Sequence, residues 1–337
     1  MRNKMLIYIV WVFVLALGVQ SCNNDPMPNA PKEQRPISFD NIATRADLTD
    51  LQANGFGVWA VVDNDLVVDL VLMNNQKVEY KEYNNTLGWH YDPVQYWIDN
   101  STFTFLATYP YDDSGTYFSY NTENKAVELK VSETPSQIDF LVATNETDTS
   151  EDYNPIVNLQ FEHVLTSVGM NIWRDGAKHQ NDQMRIRKVT LSNIRKAGTY
   201  SSTTDMWAPT NEKLAMVYEN NTLADSDNIG GASKKDDSYV FGGVASVPFN
   251  ELMLLPQTID ASNNIALKIE YELKRQNAAD WEAAELETVL PATTWDPGKK
   301  YTYNVVLSQV TDITVYYIQT KVDPWGTPQV GGTVIIK

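Results

Sequence analysis

Residues 263–275 read NNIALKIEYELKR, and they decide the fold class. Ile265, Leu267, Ile269, Tyr271 and Leu273 fall on one side of an extended chain. Lys268, Glu270, Glu272 and Lys274 fall on the other. A period of two means a strand with one buried and one wet face. The pattern spreads outward from there. Upstream it recurs in QMRIRKVTLSNI (183–194), KAVELKVS (125–132) and STFTFLATYPY (101–111), and further strand candidates are VNLQFEHVLTSVGMNIW (157–173), QIDFLVAT (137–144) and FGVWAVV (56–62). Downstream it continues in KKYTYNVVLSQV (299–310) and ITVYYIQTKV (313–322). Asn- and Asp-rich turns separate the runs. No helical period is long enough for βαβ units, and only short helices are expected, near 46–54 and 277–285. The reading is all-β, with antiparallel sheets in two tandem β-sandwich domains. These cover 46–157 and 158–310, with a long exposed loop at 221–238.

The ends carry a different signal. Arg2 and Lys4 precede an uncharged apolar run from Met5 to Val19. That is the layout of a secretory signal, and it is short for a membrane span. The run closes on VQSC, so residues 1–21 read as a lipoprotein signal peptide and Cys22 as the lipidated residue. Gln20 departs from the usual lipobox. A plain signal or membrane anchor with an incidental cysteine is the simpler alternative. Cys22 is the only cysteine, which excludes an intramolecular disulfide and a CxxC metal site. Residues 23–36, rich in Pro and Asn, read as a tether. The formal charge of −17 opposes binding to nucleic acid or to an anionic membrane surface.

Catalytic patterns are missing. His90, His163 and His179 show no zinc spacing, and there is no GxSxG and no P-loop. His163 reads as a structural residue at a strand edge. Asp63, Asp65 and Asp69 in DNDLVVD have the oxygen chemistry of calcium ligands but lack the glycine and distal Glu of an EF-hand loop. No cofactor and no enzymatic activity are expected. Trp89, Tyr91, Tyr96 and Trp97 in GWHYDPVQYW either form a platform for sugar rings or fill a sandwich core.

The segment ISFDNIATRADL (37–48) begins like a buried strand, with Ile37, Phe39 and Ile42, and then places Arg45 in a small triplet. Together with the lipobox at Cys22, the order of motifs resembles the fimbrillins, the structural subunits of type V pili, and their fimbrillin-like relatives. Those motifs are ISFDNIATRA, FGVWAV, WHYDPVQYW, TFLATYPY, DFLVAT, FEHVLTSV and TTWDPGKKYTYNV. The tail VDPWGTPQVGGTVIIK is similar to the family's C-terminal extension.

The resemblance implies transthyretin-like sandwiches and an assembly cycle. The precursor reaches the outer membrane as a surface lipoprotein. An Arg-specific protease cuts between Arg45 and Ala46 and removes residues 22–45 with the strand around Ile37, Phe39 and Ile42. The C-terminal strand of another subunit, from 311–337, then fills the seat by β-augmentation. Two runs offer apolar donors: Ile313, Val315 and Tyr317, or Val330, Val334 and Ile336. The partners implied are other fimbrial subunits in an extracellular fimbria and an unidentified host or bacterial surface ligand. The rival reading is a surface glycan-binding lipoprotein that keeps its outer-membrane anchor, with the aromatic segment at 88–97 as its platform and Arg45 as an ordinary loop residue.

Overall fold

Alternation that strict builds strands, and the computed structural model contains 23 of them over residues 34–44, 48–66, 68–131, 138–149, 155–176, 181–235, 238–249, 251–308 and 312–321, the residues it describes. In chain order they begin with β1 (Ser38–Thr44), the short helix α1 (Leu48–Asn54), β2 (Phe56–Asp63), β3 (Leu70–Tyr83), β4 (Thr86–His90), β5 (Thr102–Tyr109), β6 (Phe118–Asn121), β7 (Ala126–Val131), β8 (Leu141–Asp148) and β9 (Ile156–His163). The second half follows with β10 (Thr166–Asp175), β11 (Gln183–Arg195), β12 (Gly198–Ser201), β13 (Met206–Pro209), β14 (Lys213–Glu219), β15 (Gly231–Lys235), β16 (Ser238–Gly242), β17 (Leu252–Leu254) and β18 (Gln257–Ile259). It ends with β19 (Ala266–Lys274), β20 (Glu282–Val289), β21 (Thr293–Trp295), β22 (Lys299–Ser308) and β23 (Asp312–Lys321).

The N-terminal half is organised by a seven-stranded sheet in the order β1-β9-β8-β5-β2-β3-β4. One face packs Phe56, Val58, Phe103, Phe105, Val157, Leu159 and Phe161 into a continuous core. The other face, through Trp59, Leu106 and Val142, meets a four-stranded sheet in the order β13-β12-β7-β6. Two strands of that covering sheet come from beyond residue 197, so the second half of the chain completes the first. Residue 157 lies inside β9, which stays in the seven-stranded sheet; the chain crosses to the second half at Val164 and Leu165.

The C-terminal half packs the β16-β15-β10-β22-β23 sheet on the β14-β11-β19-β20 sheet. β19, the strand of the opening stretch, is central in its sheet, and Ile265, Leu267, Ile269, Tyr271 and Leu273 are all buried as the alternation requires. Two expectations are corrected. Residues 282–289 form β20 and not a helix: EAAELETV favours helix locally, but pairing along the whole length of β19 overrides that propensity. The expected loop at 221–238 contains a 3₁₀ turn at Asp225–Asp227 and β15, which pairs parallel to β10. The helix expected near 46–54 is present as α1.

Candidate functional site

The candidate site is the seat of β1. β1 is an edge strand that lies parallel to β9, with Ser38 opposite Ile156, Phe39 opposite Val157 and Thr44 opposite Phe161. The register shifts between Asp40 and Ala43, so the strand carries an extra residue there. That irregularity explains the spacing of Ile37, Phe39 and Ile42, two residues and then three. In a regular strand Ile42 would face away from Phe39. Here it packs against the same core.

Side chains anchor the strand. Ile37 is 2% exposed and Phe39 4%. The Phe39 ring meets Tyr91, Phe105 and Phe56 edge-on, with centroids 5.5, 6.0 and 6.2 Å away. Burying an isoleucine and a phenylalanine is worth about 3–6 kcal/mol in transfer free energy. A second wall comes from residues 91–97. Ile37 N donates to Gln95 O at 2.9 Å, and Trp97 N donates to Arg35 O at 2.9 Å. The Tyr91 hydroxyl donates to Ile37 O at 2.8 Å. Burial, ahead of the neighbouring Tyr96, pushes the Tyr91 phenol up to about 12. Arg35 forms an ion pair with Asp99 just before the strand begins.

The aromatic segment is therefore mostly wall. Trp97 is buried beside Phe103 and Phe105, at 4.7 and 5.7 Å. Trp89 lies against Phe56 and Tyr80 at 5.0 and 5.1 Å. Tyr91 is engaged as described. Only Tyr96, at 39%, is exposed. These four rings do not form one open face.

The other sequence-derived residues sit apart from the seat. Asp63 and Asp69 share Lys125 as their cation, and Asp69 N donates to Asp63 Oδ1 at 2.7 Å. Among the described residues no group of three or more potential metal ligands comes together. His163 ends β9 with its ring buried, 2.8 Å from Asp139 Oδ1. It lines a cavity of about 520 Å³ with Glu162, Tyr200, Asp205 and Gly298, where β8 and β9 meet the C-terminal half. Ile313, Val315 and Tyr317 belong to β23, the edge strand that pairs antiparallel with β22 from Lys299–Lys321 to Ser308–Asp312. Cys22, Arg45, Ala46, Val330, Val334 and Ile336 lie outside the described residues.

Sequence reasoning singled out Tyr91 but not its partners in the second wall, Arg35 and Gln95, because nothing local in GWHYDPVQYW signals which distant segment its backbone will meet.

A family model described as fimbrillin-like matches residues 44–325, beginning at the last residue of β1. Among solved structures, a fimbrial protein from Bacteroides vulgatus ATCC 8482 superposes with a TM-score of 0.61 at 16% identity, over 85% of this chain and 99% of that one. A candidate cell adhesion protein from Bacteroides uniformis ATCC 8492 superposes with a TM-score of 0.50 at 17% identity, over 88% of this chain and 100% of that one. Both likenesses concern the fold. No curated protein matches the chain in sequence.

Proposed function

This chain belongs to the fimbrillin-like family, and from that membership we propose that it is a pilus-type adhesion subunit whose first strand is a temporary occupant. The observation that carries the reading is β1 itself: an edge strand that fills a core, with Ile37 and Phe39 buried and, among the described residues, only β9 as its ladder partner. The precursor is lipidated at Cys22 and displayed at the outer membrane. Cleavage after Arg45 severs the connection between β1 and α1. Once β1 leaves, β9 has an unpaired edge and the core has a trough lined by Phe56, Phe105 and Tyr91. A donor strand restores both backbone pairing and burial.

The donor comes from residues 311–337 of another subunit. Ile313, Val315 and Tyr317 have the regular spacing of two that an unbulged replacement would present. Donating them requires β23 to leave β22. Val330, Val334 and Ile336 could be donated with β23 still in place. Each subunit then gives one strand and receives one, a head-to-tail contact that grows into a fibre. The glycan-platform reading gains no observation in its favour, since three of its four rings are walls.

The test is to treat the purified precursor with an Arg-specific protease. A new N-terminus at Ala46 followed by SDS-resistant ladders is the expected outcome, and Arg45→Ala abolishes both. A chain that stays intact at Arg45 and monomeric, or one that is cut and still monomeric at high concentration, overturns the reading.

A further inference from the structure

Where β10, β11 and β14 meet the segments 226–231 and 242–246, the C-terminal half holds a cavity of about 670 Å³. That size is usual for small-molecule sites. The cavity has no part in the seat of β1, which belongs to the seven-stranded sheet.

Both flanking segments are pinned by backbone bonds. Ile229 is buried in the core, and its N donates to Met184 O at 2.8 Å. Arg174 reaches the same segment twice: its N donates to Gly230 O at 3.0 Å and its Nε to Ile229 O at 3.1 Å. On the other side, Ile172 N donates to Ser246 O at 2.8 Å and Ser246 N to Ile172 O at 3.0 Å. The two segments meet where Gly230 N donates to Val244 O at 2.6 Å. A Cβ on residue 230 would lie 2.2 Å from Gly242 O, so this approach requires glycine. A ligand would enter a site already formed, without the entropic cost of ordering its walls.

The polar groups in the lining are aimed. Asn228 Oδ1 accepts from Met184 N at 2.8 Å. Asn220 Oδ1 accepts from Thr222 N at 3.1 Å and from the Thr222 hydroxyl at 3.3 Å. Each amide is fixed by its oxygen, and its Nδ2 group remains a donor with no acceptor among the described residues. Asp227 is the complement: Oδ2 accepts from Ala224 N at 2.9 Å, and Oδ1 remains an acceptor. The hydroxyls of Tyr218 and Ser226 line the same cavity and bond to no described residue.

These groups select a ligand class. Fixed donors, a carboxylate acceptor and two hydroxyls match a molecule whose own groups both donate and accept along its outline, which is the chemistry of sugar hydroxyls. The half-buried Tyr218 ring, set edge-on to Phe249 at 6.5 Å, adds an apolar surface for the C–H face of a sugar. A peptide fits less well. It asks for a free ladder edge and for apolar side-chain pockets. Here the unspent groups are on side chains, and the large apolar lining is limited to Ile186, Tyr218 and Val244. Arg174 and Asp227 give the lining one formal charge of each sign, and the chain carries −17, which disfavours an anionic ligand.

We propose that this cavity binds a short, uncharged saccharide. The proposal rests on the adhesion reading above, for which it names a ligand, and does not depend on strand exchange.

The test uses residues 22–337 with Cys22→Ser on an array of one- to four-ring saccharides, uncharged and acidic, followed by calorimetric titration with the free sugar that binds. Saturable binding of an uncharged saccharide at one site per chain is expected. Asn220→Asp with Asn228→Asp keeps the Oδ1 acceptors used by Thr222 and Met184 and replaces only the Nδ2 donors. It should weaken binding by about tenfold or more, the scale of losing two hydrogen bonds. Ser226→Trp, at an exposed position of the lining, should block binding by filling the cavity. Melting temperature checks the fold of both. An array with no saccharide bound, binding confined to acidic saccharides, or binding unchanged in both variants overturns the proposal. Ladders after Arg-specific cleavage should form normally in both variants. Ladders without saccharide binding by the unsubstituted chain overturn this site and leave strand exchange standing. Saccharide binding lost in the two variants, by a chain that never forms ladders, supports the site and overturns strand exchange.

Discussion

β1 and β23 are both edge strands near the ends of the chain, and they are held in opposite ways. β1 pairs in parallel with β9, a partner more than a hundred residues away, in a register broken at Asp40–Ala43. Its hold comes from Ile37 and Phe39 in the core and from the wall at 91–97. β23 pairs antiparallel with β22, its immediate neighbour in sequence, in an unbroken register along its whole length. A hairpin strand that leaves its partner stays tethered beside it and re-forms quickly, because the loop to be closed is short. A strand severed from the chain has no such return: once cut, β1 would have to find its seat as a second molecule. Under the proposed cleavage, departure of β1 would be irreversible and that of β23 reversible, which is the asymmetry a donor and a seat require.

The largest effect expected from this comparison follows removal of the seat's occupant. A chain starting at Ala46 loses the burial of Ile37 and Phe39, and its melting temperature should fall by about 10 °C or more. Excess peptide spanning residues 35–44 should restore most of that loss in thermal unfolding. A chain that melts unchanged without β1 would mean the trough closes on itself. Next in size is Phe39→Ala in the intact chain. Truncating a ring enclosed by Phe56, Tyr91 and Phe105 should cost about 3–5 kcal/mol in denaturant unfolding. A smaller loss is expected from deleting residues 312–337. Ladder hydrogen bonds are each worth about 1 kcal/mol net and are largely offset by the entropy of ordering the strand. The melting temperature should move by no more than about 5 °C. Protection from hydrogen exchange should fall in β22 and persist in β19. If this deletion proved as damaging as loss of β1, the contrast between the two edges would disappear.

Much of this architecture was legible in the sequence, and the limits have physical causes. β19 and β11 announce themselves because one face of each is core and the other is wet. Ile37 and Phe39 are legible as core for the same reason, and Ile42 is legible as apolar although its spacing breaks the period. The break makes sense only with the bulge, which depends on β9. Pairing across long sequence separations leaves no local trace. The parallel β1–β9 ladder and the β12–β13 hairpin completing the β6–β7 sheet belong to this class. β20 misleads because EAAELETV has helix propensity that the flanking sheet overrules. The aromatic segment was ambiguous because large rings serve equally as walls and as platforms.

The finest probe of the seat is the Tyr91 hydroxyl. Tyr91→Phe keeps the ring against Phe39 and removes the hydroxyl's 2.8 Å bond to Ile37 O together with its longer contacts, 3.3 Å each, to Gln95 O and from Gln95 N, so it should cost about 1 kcal/mol, the smallest effect in this set. Its pH dependence separates it from a general loss of packing. Burial raises the phenol to about 12, above an ordinary value of about 10. Between those values the folded chain holds a proton that the unfolded chain has released, so the stability contributed by the neutral hydroxyl is complete below pH of about 10 and is lost as pH rises toward 12. Tyr200 and Tyr271 are also raised by burial and drift in the same direction, so the informative quantity is the difference between the unsubstituted chain and Tyr91→Phe. That difference should be constant from neutral pH to about 10 and shrink above it. A difference that stays flat through pH 12 would show that the phenol is not buried against β1, and that the strand is retained by its core side chains and backbone bonds without a buried hydroxyl.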